Sequence, residues 1–107
     1  MALDIIISDS HGNQEKSIPL FFDDYDFIMS QIENEKQFPL LNKVFADYYG
    51  ISEIYLNELS NIEKEVFQVK EKLGSACPQG LAEFIESFES LIEYAKKNDR
   101  TIQFVGD

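Results

Sequence analysis

The chain has 107 residues and carries 20 acidic against 9 basic side chains, a formal charge of −11. An acidic field of this size repels nucleic acid and anionic lipid and attracts basic proteins, so direct nucleic-acid or membrane-surface binding is disfavoured. Apolar content of 44% argues against disorder despite the charge.

The length suits one domain over residues 1–107. A single cysteine, Cys77, excludes an internal disulfide and suits a reducing cytoplasm. The N-terminus lacks the basic, apolar and small-residue regions of a signal peptide. No apolar run approaches the ~18 residues of a membrane span. The expectation is a cytoplasmic protein without a membrane segment.

Leu3–Ser8 is dominated by β-branched residues and reads as a strand. Its three consecutive isoleucines suggest burial on both faces, or at least a covered sheet. Asp9–Lys16 is a polar loop with turn chemistry at Gly12-Asn13. Ser17–Phe22 returns as a second strand, which Pro19 confines to an edge; the competing reading starts a helix at Pro19. Asp23 then reads as the cap of a helix running to about Glu33, with Asp24 and Asp26 close to its positive end. Pro39 suits the first turn of a second helix, with Leu41, Val44, Phe45 and Tyr48 facing inward and Gly50 closing it.

Ser52–Gly74 is the strongest element. Tyr55, Leu59, Ile62, Val66, Val69 and Leu73 recur in alternating steps of four and three, which places them on one helical stripe. Ser52 reads as the cap and Gly74 as the stop, predicting a helix of roughly 30 Å. Its outward side carries Glu53, Glu58, Glu63, Glu65 and Glu71 against Lys64, Lys70 and Lys72. A last helix spans Pro78–Asn98, with Leu81, Phe84, Ile85, Phe88, Leu91, Ile92 and Ala95 inward. Thr101–Val105 alternates like a strand. The predicted fold is α+β and mostly helical. About four helices pack on a small sheet formed by the N-terminal strand or hairpin and the C-terminal strand.

Candidate chemistry is sparse. Ile5–Asn13 resembles the first motif of calcineurin-like metallophosphoesterases, which implies metal ligation by Asp9 and His11. A two-metal site needs further ligands from later strands, and His11 is the one histidine present. The Gly-Asn-His and Gly-His-x-His motifs are missing, and Gly106-Asp107 echoes a Gly-Asp motif only at the chain's last residues. A strand followed by a polar turn accounts for the stretch. Cys77 precedes Pro78 at a helix start, where a thiol can become nucleophilic, but no histidine lies near it in sequence. The reading is a non-enzymatic protein with no catalytic residues, metal or cofactor.

Much of the acidic excess is concentrated. Between Asp23 and Glu65 ten acids face three lysines. Tyrosines border them in Asp24-Tyr25-Asp26 and Asp47-Tyr48-Tyr49, the composition of a protein-binding hot spot as well as of a core rim. At Ala46–Leu59 the chain resembles the barstar family of acidic ribonuclease inhibitors, in which a Tyr-Tyr-Gly turn leads into an inhibitory helix. Tyr48, Tyr49 and Gly50 match, as does the acid eight positions after the glycine, Glu58. The family's acid four after the glycine falls on Ile54 and is not carried over. The whole profile is similar to immunity proteins of bacterial toxin systems, including contact-dependent growth inhibition. That resemblance implies a basic partner, foremost a toxin nuclease domain, blocked at its active site or substrate cleft. The expected partner-binding residues are Asp23, Asp24, Tyr25, Asp26, Asp47, Tyr49, Glu53, Glu58 and Glu63. The alternatives are an acidic interaction subunit or adaptor and, behind it, a small metal-dependent hydrolase using Asp9 and His11.

Overall fold

A computed structural model describes residues 2–33, 35–46 and 48–106. Strand β1 (Ala2–Ser8) turns back into β2 (Gln14–Phe21), and α1 (Phe22–Ile32) and α2 (Pro39–Phe45) follow. A short strand β3 (Ile51–Ile54) and a 3-10 turn (Leu56–Glu58) precede α3 (Leu59–Leu73). A second 3-10 turn (Gly74–Ala76), α4 (Gln79–Asn98) and β4 (Ile102–Val105) complete the chain. The four strands form one antiparallel sheet in the order β2-β1-β4-β3, so the two terminal strands are neighbours at its centre. The helices pack on it, giving the mostly helical α+β fold expected from the sequence.

Alternation explains how the sheet joins the core. Leu3, Ile5 and Ile7 of β1, Leu20 of β2, Ile54 of β3, and Ile102 and Phe104 of β4 are all buried beneath the helices. Phe104 stands edge-on between Phe45 of α2 and Phe88 of α4, with ring centroids 6.1 and 6.0 Å away. The helical stripes supply the other half: Ile62, Val66 and Val69 from α3, and Leu81, Ile85, Leu91 and Ile92 from α4. Pro19 of β2 pairs with Asp4 on the outer strand of the hairpin, the edge position that a missing N–H tolerates.

The structure corrects the sequence reading in several places. Ser52 caps no helix: Ile51–Ile54 pairs with β4 in the register Ile51↔Val105 to Ile54↔Ile102. The helix that follows has 15 residues, about 22 Å at 1.5 Å per residue, not 30 Å. Tyr55 has the helical spacing but lies outside α3 and is exposed. A helix extended back through Ile54 would forfeit the ladder with β4 and leave one side of that strand unpaired. The Tyr-Tyr-Gly turn therefore leads into a strand, where the barstar resemblance implied a helix. Gly50 does not close α2, which ends at Phe45, and Tyr48 lies beyond it. Asp23 is not the cap of α1 either. Phe21 holds that position without a side-chain hydrogen bond, and Asp23 and Asp24 sit in the first turn.

The isoleucine run of β1 is covered on one face only. Ile5 and Ile7 face the helices, whereas Ile6 is half-exposed on the other side. Glu65, expected on the solvated back of the long helix, is buried. Its carboxylate oxygens accept hydrogen bonds from the amides of Leu41 (2.9 Å) and Leu40 (3.1 Å), at the start of α2. Phe38, the residue in cap position there, offers no side-chain acceptor, and Glu65 from a neighbouring helix supplies one. Burial pushes its carboxyl above the ordinary 4.5, against the two amides, which favour the charged form.

Candidate functional site

The loop after β1 folds by local chemistry. One Asp9 carboxylate oxygen accepts the amides of His11 (2.8 Å) and Asn13 (2.9 Å), and the other lies 3.4 Å from the Asn13 side-chain nitrogen. The Asn13 amide foremost holds the Asp9 carboxyl below its ordinary value; desolvation, next in size, opposes it, and the His11 amide, the Asn13 side chain and the charge of Arg100 add to the lowering. Asp9 thus organises the hairpin turn. Among the described residues no three of His, Cys, Asp and Glu gather in a metal-ligating group. Cys77 behaves oppositely to an activated thiol. Burial, then the charge of Asp24, pushes it up, which suppresses the thiolate.

The acidic and aromatic residues predicted to bind a partner separate into three groups. The first lies where β2 runs into α1. Asp23 and Asp26 are exposed on the opening turns of α1, and Asp24 is half-buried beside them. Tyr25 is half-buried; its hydroxyl donates to the Phe45 carbonyl at 2.6 Å, and its ring lies 4.5 Å from that of Tyr48. Phe22 stands edge-on to Tyr48 at 5.5 Å, and Tyr49 does the same at 5.3 Å. Tyr48 is buried and donates its hydroxyl to the Leu20 carbonyl at 2.8 Å. It is the pivot of this cluster, and the exposed rings of Phe22 and Tyr49 flank it. Asp47 lies outside the described residues.

The C-terminal strand holds Tyr49 in place. The Gly106 amide donates to the Gly50 carbonyl at 2.8 Å. A Cβ at Gly106 would lie 2.5 Å from the Tyr49 Cα and collide with the Tyr48 carbonyl oxygen. Only glycine allows the two backbones to approach this closely. The aromatic cluster is therefore clamped between the start of α1 and the end of the chain's last strand.

Glu53 forms the second group. It lies on β3 opposite Gln103, half-exposed, on the sheet face away from the helices. Glu58 and Glu63 form the third, and both are engaged within the protein. Glu58 accepts the Tyr55 amide at 3.0 Å and pairs with Lys43 at 3.4 Å, and that lysine also sits 5.6 Å above the Tyr55 ring. Glu63 pairs with Lys96 of α4 at 2.9 Å.

Three exposed residues of this patch, Phe21, Phe22 and Ile51, escaped the sequence reading. Ile51 is 78% exposed at the start of β3, and Phe21 is 58% exposed at the end of β2. The alternation that buries Leu20 turns Phe21 outward, a signal present in the sequence. Ile51 was hidden because β3 itself was read as helix. Phe21, Phe22, Tyr49 and Ile51 all belong to the end of the sheet where β1 begins, β4 ends and β3 begins. Neither α1 nor β1, β3 and β4 contains a lysine or arginine. β2, which carries Phe21, has its one lysine, Lys16, at the far end of the strand, so the described residues place an apolar and aromatic patch next to the carboxylates of α1.

Exposed aromatics at defined positions supply contact area at low entropy cost, and carboxylates complement positive charge. No family model, curated protein or solved structure matches the chain.

Proposed function

We propose that the protein is an inhibitor of the immunity type, which binds a basic toxin domain, foremost a nuclease, and blocks its substrate cleft. The observation that carries this reading is that Asp23, Asp24 and Asp26 occupy the opening turns of α1, which begins at exposed Phe22 and carries no base, while exposed Tyr49 meets Phe22 through Tyr48. Nucleases hold the phosphate backbone in clefts lined by Lys and Arg. A carboxylate cluster on a rigid helix start offers the same sign of charge at a fixed geometry. It accelerates encounter and competes for the cleft, while Phe22 and Tyr49 provide the desolvated contacts that slow dissociation. Glu58 and Glu63 contribute little to such a field, since Lys43 and Lys96 offset them.

The test is co-expression with candidate nuclease toxin domains, together with binding of the purified pair. Wild type restores growth and binds. The triple variant Asp23→Lys, Asp24→Lys, Asp26→Lys loses protection, and its association rate falls by at least ~10-fold at low salt, the lower end of electrostatic steering. Undiminished binding by the triple variant would exclude the acidic cluster as the interface. Fold integrity is checked by circular dichroism, because each reversal near the positive helix end costs about 0.3–1 kcal/mol.

A further inference from the structure

The sheet has a second face, and its composition is specific. The register places Pro19, Asp4, Val105 and Ile51 in one row across all four strands, and Ser17, Ile6, Gln103 and Glu53 in the next. None of these eight is buried, in contrast to the rows that face the helices. These eight positions set Ile6 and Val105 on the two central strands and Ile51 on the edge strand β3, and the two charged residues among them are Asp4 and Glu53. Antiparallel sheets commonly leave one face to water, but that face is then polar in alternation. Here aliphatic side chains occupy outward positions on three of the four strands.

We propose that this open sheet face is the second half of the partner interface, and that its occupant is a protein surface bearing lysine or arginine around an apolar centre. The inference rests on the inhibitor reading above and extends it from the α1 cluster onto the sheet. Three arguments select this occupant. Both charges among these eight residues are negative, so a cationic surface complements them. A second copy of this chain would set Asp4 and Glu53 against the same carboxylates, with −11 of charge on each copy. Size points the same way. Four strands at about 4.8 Å spacing, four or so residues deep, present only about 300 Å², against about 800 Å² per partner in a standard interface. The face reaches that size only together with the adjoining patch of Phe21, Phe22 and Tyr49.

The experiment uses the purified nuclease toxin domain against which wild type protects in co-expression, titrated by calorimetry into three forms of the full chain. The double variant Ile51→Lys, Glu53→Lys places the partner's own charge on the sheet face, at positions whose side chains are not buried. Phe67→Lys alters an exposed ring on α3, on the helical side. The expected result is at least a tenfold loss of affinity for the double variant and a change below twofold for Phe67→Lys, with equal melting temperatures. Wild-type binding that the double variant retains would overturn the sheet-face assignment and leave the inhibitor reading standing. Wild-type failure to bind would overturn both. Sedimentation of the protein alone gives the remaining arm. A dimer that Ile51→Lys dissociates would show that a second copy covers the face, and would overturn the assignment as well.

Discussion

Glu65 shows how one side chain can carry a structural role that its sequence context conceals. It belongs to a run of acids and lysines and has the spacing of a solvated helix face. Yet it ends 25 residues from the amide it caps. Glu65→Ala removes the acceptor for the Leu40 and Leu41 amides and should destabilise the fold by about 1–3 kcal/mol, measured by urea denaturation. The pH dependence has a definite sign. Burial raises the folded carboxyl above its ordinary value, so between the two values the folded state binds the proton that the unfolded chain has released. Stability contributed at this site is therefore present below the unfolded pKa and falls as pH rises through the folded one. Glu65→Gln does not titrate. The stability of wild type relative to Glu65→Gln should decline as pH rises from about 4.5, then level off; a rising difference would contradict the burial-dominated shift.

Among elements, the informative one is β3. Its four residues read as the first turn of a helix because Tyr55 continues the 3-4 spacing of α3 backwards. Local periodicity cannot register that β4, some fifty residues later, has an unpaired side there. The strand in turn fixes the Tyr48-Tyr49-Gly50 turn, through the close approach of Gly106 to Tyr48 and Tyr49. Gly106→Ala should cost about 1–3 kcal/mol, the range for overpacking, and should shift Tyr49. Tyrosine fluorescence and thermal melting would report both effects, and an unchanged melting temperature would contradict the clamp. The helices were easier to read. The apolar face of α4 and its terminal Lys96 and Lys97 marked it clearly, and it runs Gln79–Asn98 against the expected Pro78–Asn98. The acids of the candidate site were equally visible. Which of them are engaged by lysines was not, because Lys43–Glu58 and Lys96–Glu63 join residues 15 and 33 positions apart.

At the scale of the whole molecule, the radius of gyration of 12.9 Å matches the roughly 13 Å of a compact chain of this length. Helices and sheet share one core, joined through Phe104 between Phe45 and Phe88. Phe104→Ala should therefore destabilise both layers together, by about 3–5 kcal/mol. Helix signal in far-ultraviolet circular dichroism and tyrosine fluorescence should be lost in one coincident transition; separate transitions would mean that the layers fold independently. Among the described residues no helix is long and apolar enough to cross a membrane.

Periodicity and composition by themselves determined the α+β class, the terminal strands, most of α3 and α4, and the acidic character of the surface. These are local or additive properties: a 3.6- or 2-residue repeat and a sum of charges. Tertiary structure alone decided the rest. It turned Ile51–Ile54 into a strand, buried Glu65, offset Glu58 and Glu63 with lysines, and gathered Phe21, Phe22, Tyr49 and Ile51 at one end of an open sheet. Each of these depends on which distant backbone or charge arrives next to a residue, and a one-dimensional pattern does not contain that information.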